Sequence, residues 1–228
     1  MLGISEKLVE VKQRIRRAER TYGREPGSVK LLAVSKTKPD SDILQAYKAG
    51  QRDFGESYVQ EAVDKIHHIN LPDIVWHFIG PIQSNKTRLI AENFAWVHSV
   101  DRLKIAQRLS DQRNPEQPAL NICLQVNVSG EQSKSGVDLD ELSELVKAVM
   151  DLPRIELRGL MAIPAKSSYV DQQREAFCQL RESLEQINQQ FSLNLDTLSM
   201  GMSNDLEAAI AEGASIVRVG SDIFGARE

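Results

Sequence analysis

The sequence predicts an α/β fold, a single (β/α)8 TIM barrel preceded by one extra helix. Three observations carry this reading. Short apolar runs alternate with amphipathic stretches along the whole chain, which calls for a parallel sheet covered by helices. The runs number eight, the count at which such a sheet closes on itself. The 228 residues show no Gly/Ser/Pro-rich linker, internal repeat or shift in composition, so they form one domain, residues 1–228. A doubly wound open sheet is the rival arrangement.

The elements follow in order. Ile4, Leu8, Val11, Ile15, Ala18 and Tyr22 mark one face of a leading helix, ended by Gly23 and Pro26-Gly27. Leu31 to Ser35 is the first strand, ending in Lys36. A helix starting at Pro39-Asp40-Ser41 carries Ile43, Leu44 and Tyr47 and stops at Gly50, a residue suited to the left-handed position after a helix. Asp53-Phe54-Gly55 is the second strand, followed by a helix with Val59, Ala62, Val63 and Ile66. Ile74–Ile79 and Ala95–Val100 are strands three and four, followed by helices at Lys86–Glu92 and Arg102–Asp111. Asn121–Val128 is the fifth strand. The next helix, Asp138–Asp151, opens on capping-box spacing, Asp138 with Glu141. Ile155–Ile163 is the sixth strand, and Val170–Gln190 is a long helix. Thr197–Met200 is the seventh strand, Asn204–Glu212 a helix with a second capping-box spacing (Asn204 with Glu207) and capped by Gly213, and Ser215–Val219 the eighth strand. Ser221–Ala226 is at most one helical turn.

Composition narrows the function classes. The chain is 41% hydrophobic and 26% charged with a formal charge of −4, which argues against nucleic acid as the main partner. Arg14, Arg16, Arg17 and Arg20 form the one local basic cluster, and Glu6, Glu10 and Glu19 on the same helix make it a solvated face. No apolar run is long enough to span a bilayer and the N-terminus has no signal-peptide hydrophobic region, so the expected compartment is the cytoplasm. Cys123 and Cys178 lie far apart in different kinds of element and form neither a disulfide framework nor a CxxC site. No apolar surface stripe calls for more than a monomer.

In a (β/α)8 barrel, chemistry sits at the C-terminal ends of the strands. Lys36 ends the first strand. It is either the first polar residue of a surface turn or an amine looking into a pocket, where a lowered pKa makes it a nucleophile. Gly55-Glu56, Gly80, Asn127 and Met161 close further strands on the same rim. The last two strand ends, Gly201-Met202-Ser203 and Arg218-Val219-Gly220-Ser221, stand where this fold usually binds phosphate. Gly201 and Gly220 would let backbone approach an anion, and Ser203 and Ser221 each precede a helical turn. The same residues could simply cap helices. A lysine and a phosphate pocket on one rim suit either a Schiff-base aldolase or a pyridoxal 5′-phosphate (PLP) site. Arg218, inside an otherwise apolar strand, could donate to a pyridine nitrogen, or pair with a carboxylate such as Glu56.

The motifs Ala33-Val34-Ser35-Lys36-Thr37, Phe54-Gly55-Glu56-Ser57-Tyr58-Val59-Gln60-Glu61, Trp76-His77-Phe78-Ile79-Gly80 with Gln83-Ser84-Asn85-Lys86, Ser133-Lys134-Ser135-Gly136, Gly159-Leu160-Met161-Ala162-Ile163, Ser199-Met200-Gly201-Met202-Ser203 and Arg218-Val219-Gly220-Ser221-Asp222-Ile223-Phe224-Gly225 resemble the PLP homeostasis protein family. That family is itself similar to the barrel domain of alanine racemase. The resemblance runs over essentially the whole chain; Ser57 departs from it, standing where the family usually has Asn. It implies that Lys36 carries PLP as an aldimine, that Met202, Ser203, Gly220 and Ser221 lie at the phosphate, and that Arg218 lies at the pyridine nitrogen. It implies no metal and a role in intracellular vitamin B6 homeostasis, carrying or buffering PLP, with PLP-dependent apoenzymes as the partners such a carrier would serve.

Catalysis is not expected. Racemisation needs an acid and a base on opposite faces of the substrate carbon, and the resemblance covers only the barrel, without the domain that brings the racemase its second base. The alternative is a weak or partner-dependent PLP enzyme, racemase-like and acting on amino acids. Among other residues, His77 is expected to be a hydrogen-bonded structural histidine, His67-His68 to complement a helix dipole, Lys38 and Lys134 to be solvated loop lysines, and Met161 to be a pocket wall. Lys38, Lys134 and Lys166 are the lysines that could compete with Lys36 for PLP.

Overall fold

A computed structural model describes residues 2–129, 135–165 and 167–226. Eight strands pair in the order β1 to β8, and β8 pairs back onto β1, so the sheet is a closed barrel. Every strand pair is parallel. The strands are β1 Lys30–Val34, β2 Asp53–Glu56, β3 Val75–Phe78, β4 Trp96–Val100, β5 Leu120–Gln125, β6 Ile155–Met161, β7 Thr197–Ser199 and β8 Ile216–Val219. The helices are α1 Ile4–Thr21, α2 Asp40–Lys48, α3 Val59–Ile69, α4 Thr87–Asn93, α5 Leu103–Gln112, α6 Leu142–Val149, α7 Val170–Phe191, α8 Leu206–Ala211 and α9 Ser221–Phe224, with a 3-10 turn at Ser84–Lys86. The closed barrel excludes the open-sheet rival.

Strand alternation divides the side chains between two compartments. Leu31, Ala33, Phe54, Trp76, Phe78, Val97, Ile122, Leu124, Val217 and Val219 point outward into the main core under the helices. The alternating positions fill the barrel: Leu32, Gly55, His77, His98, Cys123, Met161, Ser199 and Arg218, all buried. A barrel interior is usually dominated by branched aliphatic residues, so the two imidazoles, the hydroxyl and the guanidinium are unusual filling. Gly159 is required by packing, since a Cβ there would lie 1.9 Å from the Thr197 carbonyl oxygen.

The leading helix buries Leu8, Val11, Ile15 and Ala18 as its spacing predicts, while Tyr22 ends up exposed as the residue after the helix. It packs against α8 and α9, beside the last two strand ends. Gly50 and Gly213 take the expected positive φ, 87° and 97°, after α2 and α8.

Both capping boxes fail to form. α6 starts at Leu142, three residues later than the spacing predicts, with no side-chain cap. Asp138 instead accepts from Asn127 Nδ2 at 3.2 Å, and its carbonyl closes a turn with the Glu141 N–H. α8 starts at Leu206; Glu207 is drawn to Arg14, and Asp205 Oδ1 accepts from the Met202 N–H at 2.5 Å.

Candidate functional site

β1 ends at Val34 and the chain turns through Ser35, Lys36 and Thr37. Thr37 has φ 63°, a conformation costly for a β-branched residue that persists only where its surroundings hold it. They do so here: Thr37 N donates to Glu61 Oε1 at 2.6 Å, and Lys38 N donates to Ser35 O at 3.0 Å. The turn fixes where Lys36, half-buried, leaves the backbone.

Beneath this turn lies a buried charge cluster that sequence reasoning missed. Lys65 Nζ donates to Ser35 O and Glu56 Oε1, each at 2.9 Å, and to Glu61 Oε1 at 2.5 Å. Ser35 Oγ donates to Glu56 Oε1 at 2.7 Å. Glu56 is fully buried, and burial pushes its carboxyl above the usual range against the pull of Lys65. Its Oε2 has no hydrogen-bond partner among the described residues. The (i, i+4) pair Glu61–Lys65 was the available signal.

Arg218 lies in the barrel interior, 4% exposed. Nη1 donates to Ser199 O at 2.5 Å and to Ser199 Oγ at 2.9 Å, and Nη2 donates to Ala162 O at 2.9 Å. Burial lowers its pKa to about 10, so it stays a cation at neutral pH. The expected alternative of a pair with Glu56 is excluded, because Glu56 belongs to Lys65. These bonds engage three of the five guanidinium N–H groups, leaving, among the described residues, one on Nη2 and the one on Nε.

The ends of β7 and β8 converge. Ser203 Oγ and Ser221 Oγ are 3.2 Å apart. Met202 and Gly220 adjoin them, both half-buried. The two glycines serve the fold before any ligand. Gly201 has φ 91° and a Cβ there would lie 2.5 Å from Ala209 Cβ, while a Cβ on Gly220 would lie 3.2 Å from the Val34 carbonyl oxygen. Arg14, read from sequence as part of a solvated face, clamps this corner. It donates to Asp222 Oδ2 at 2.7 Å, to Ser203 O at 3.0 Å and to both oxygens of Glu207 at 3.0 and 3.1 Å. One side chain of α1 thus holds both loops.

Lys36 and this corner share a rim. β1 lies beside β8 with Ala33 opposite Val219, so Val34 meets Gly220, and Lys36 rises two residues further on. An amine, two hydroxyls and a guanidinium with N–H groups to spare are the donor set that an aldehyde bearing a phosphate and a ring nitrogen requires.

Other predicted residues fall as follows. His77 is a fully buried, hydrogen-bonded interior residue, as expected. Met161 ends β6, fully buried. His68, on the last turn of α3, lies 3.6 Å from Asp40. Lys38 is a loop lysine at the surface, and its ammonium also donates to Ala226 O at 2.9 Å. Lys134 and Lys166 lie outside the described residues. Both cysteines are free thiols; burial pushes Cys123 up to about 12. Among the described residues no group of three or more His, Cys, Asp or Glu side chains is placed to hold a metal ion, and no helix is long and apolar enough to cross a membrane.

The fold and this rim define a barrel of the alanine racemase N-terminal class, and the family model "Alanine racemase, N-terminal domain" matches residues 7–228. Within that class, the chain belongs to the pyridoxal phosphate homeostasis protein family. It is 58% identical to the pyridoxal phosphate homeostasis protein of Pseudomonas aeruginosa, over 100% of this chain and 97% of that one. It is 52% identical to that of Escherichia coli K12, over 100% and 98%. Among solved structures it resembles PipY of Synechococcus elongatus with PLP bound, at 38% identity and TM-score 0.86, covering 98% of this chain and 100% of that one.

Proposed function

We propose that the protein binds PLP covalently through the Lys36 amine and carries or buffers it in vitamin B6 homeostasis. In this reading Ser203 and Ser221, with the backbone at Met202 and Gly220, hold the phosphate. Arg218 donates to the ring nitrogen and, as a cation that keeps its proton, leaves that nitrogen unprotonated. PLP supplies a reactive aldehyde and an electron-withdrawing ring when bound; an unprotonated ring withdraws electrons weakly, which suits storage better than turnover. The observation that carries the reading is the contact of β1 with β8, which supports the amine and the paired serines acting on one ligand. Homologues are named as homeostasis proteins, not as enzymes. We infer no turnover by this chain alone, and handover to PLP-dependent apoenzymes as its use.

The test is spectroscopic. The PLP-saturated protein should absorb in the visible, lose that band on borohydride reduction, and carry the reduced cofactor on the Lys36 peptide by mass spectrometry. Lys36→Ala should abolish the band. Reduction trapping PLP only on another lysine would overturn the assignment. Steady-state turnover of an amino acid that vanishes in Lys36→Ala would favour the enzyme reading.

A further inference from the structure

A line of hydrogen bonds crosses the barrel from one mouth to the other. At the N-terminal mouth Asp53 pairs with Lys30 Nζ at 3.1 Å. It lines a cavity of about 340 Å³ with Lys12, Arg16, Lys30 and Arg52. Asp53 Oδ1 lies 3.0 Å from His77 Nε2, His77 Nδ1 lies 2.9 Å from His98 Nε2, and His98 Nδ1 lies 2.7 Å from Ser199 Oγ. Ser199 Oγ then accepts from Arg218 Nη1 at 2.9 Å. Trp96 stacks on His77, with ring centroids 5.6 Å apart.

Donor chemistry gives this line a direction. A guanidinium only donates, so Ser199 Oγ accepts from Arg218 and is free to give its one proton to His98 Nδ1. His98 then carries its ring proton on Nε2 and donates to His77 Nδ1. His77 in turn carries its proton on Nε2 and donates to the Asp53 carboxylate. Each link then has one donor and one acceptor. The reverse sense, with neutral rings, would need a protonated Asp53. Burial would favour that form, but the hydrogen bond from His77 and the charge and hydrogen bond of Lys30 oppose it, and the carboxyl lies below its ordinary value. An imidazolium is opposed at both rings. Burial lowers both histidines, with Lys30 adding to the effect at each and Arg218 at His98, against the pull of Asp53 on His77.

We propose that Asp53, His77, His98 and Ser199 are positioning residues for Arg218, a one-way relay with both histidines neutral and protonated at Nε2, so that the grip of Arg218 on the PLP ring nitrogen depends on a carboxylate at the opposite mouth. Its functional end rests on the PLP reading above; the relay itself is a property of the protein without ligand. Asp53 is the remote handle, because Asn keeps an oxygen that accepts from His77 while the charge is lost.

Two measurements test this. In PLP-free protein, ¹⁵N NMR of labelled histidines should show His77 and His98 neutral, protonated at Nε2, and unchanged between about pH 6 and 8. An imidazolium, or a proton on Nδ1, at either ring at pH 7 would overturn the relay. In Asp53→Asn, PLP affinity should fall by about three- to tenfold, the difference between a charge-assisted hydrogen bond and a neutral one. The pH midpoint of the bound cofactor's visible absorption should also move, with Lys36 still the residue trapped by borohydride. A lower melting temperature with affinity and midpoint unchanged would mean a merely structural role and would refute the proposal. Should Asp53→Asn fail to fold, Ser199→Ala breaks the line at its other end, and Ser199→Thr, which keeps the hydroxyl, should restore the native affinity; no loss in Ser199→Ala would refute the relay equally. If Lys36 is not trapped in the native protein, the PLP reading has failed while the NMR result stands.

Discussion

Lys65→Met tests the charge cluster beneath the Lys36 turn. The ammonium is 7% exposed and holds Glu56, which is fully buried, together with Glu61 and the Ser35 carbonyl. Removing one partner of a buried ion pair costs about 3–5 kcal/mol when the other stays charged. Glu56 has an escape, because burial already raises its carboxyl and a proton can neutralise it. Each unit between the ambient pH and its pKa then costs about 1.4 kcal/mol. Counted from the ordinary Glu value of about 4.3, the expected loss is therefore about 4 kcal/mol at pH 7, shrinking toward about 1 kcal/mol at pH 5. The sign follows from proton uptake. In the variant the folded carboxyl has a higher pKa than the unfolded one, so stability is full below the unfolded value and is lost as pH rises toward the folded value. For a chain of this length a loss of about 4 kcal/mol lowers the melting temperature by about 8–16 °C. Thermal melts at the two pH values read the effect, and adding Glu56→Gln should recover more than half of it. A deficit equal at both pH values, or one that Glu56→Gln leaves untouched, would refute the reasoning.

Arg14→Ala should loosen both loops of the serine corner at once and weaken PLP binding by about three- to tenfold, checked by equilibrium titration beside a surface control such as Arg17→Ala. Gly201→Ala should destabilise by at least about 1–3 kcal/mol in a denaturant melt, since the residue sits at φ 91° against Ala209. Cys123, with its thiol pushed up to about 12, should resist a thiol reagent at pH 8 until the protein unfolds. His77 and His98 are held below their ordinary pKa, chiefly by burial, so the unfolded chain binds the extra protons in acid. Stability should fall as pH drops below about 6.5, a slope that urea melts across pH 5 to 7 would read.

The parts of the fold that local pattern controls were legible. Alternating apolar runs marked all eight strands, and Gly50 and Gly213 marked helix ends correctly. The rim positions of Lys36, Ser203, Gly220 and Ser221 followed from strand ends. Elements whose local signal met a stronger distant partner were misread. Asp138 and Glu207 have cap spacing, yet Asn127 and Arg14, 11 and 193 residues away, take their carboxylates. Beyond its (i, i+4) pair with Glu61, the Lys65 cluster was hidden for a related reason: Ser35 and Glu56 reach it only once β1 and β2 pair. The relay needed barrel closure, since His98 and Ser199 are 101 residues apart. Its one sequence signal was polar residues at inward positions of otherwise apolar strands, visible at His77 and Arg218.

The leading helix is keyed to the barrel in rotational phase. Leu8 and Val11 seat it, and Arg14, one turn further on, is aimed by that seating at Ser203, Glu207 and Asp222. Each helical residue turns the side chain by about 100°. Inserting or deleting a single residue between Val11 and Arg14 would swing the guanidinium away from both loops, even with the helix fully formed. Chain length in a segment remote in sequence from the rim is therefore as constrained as the rim itself.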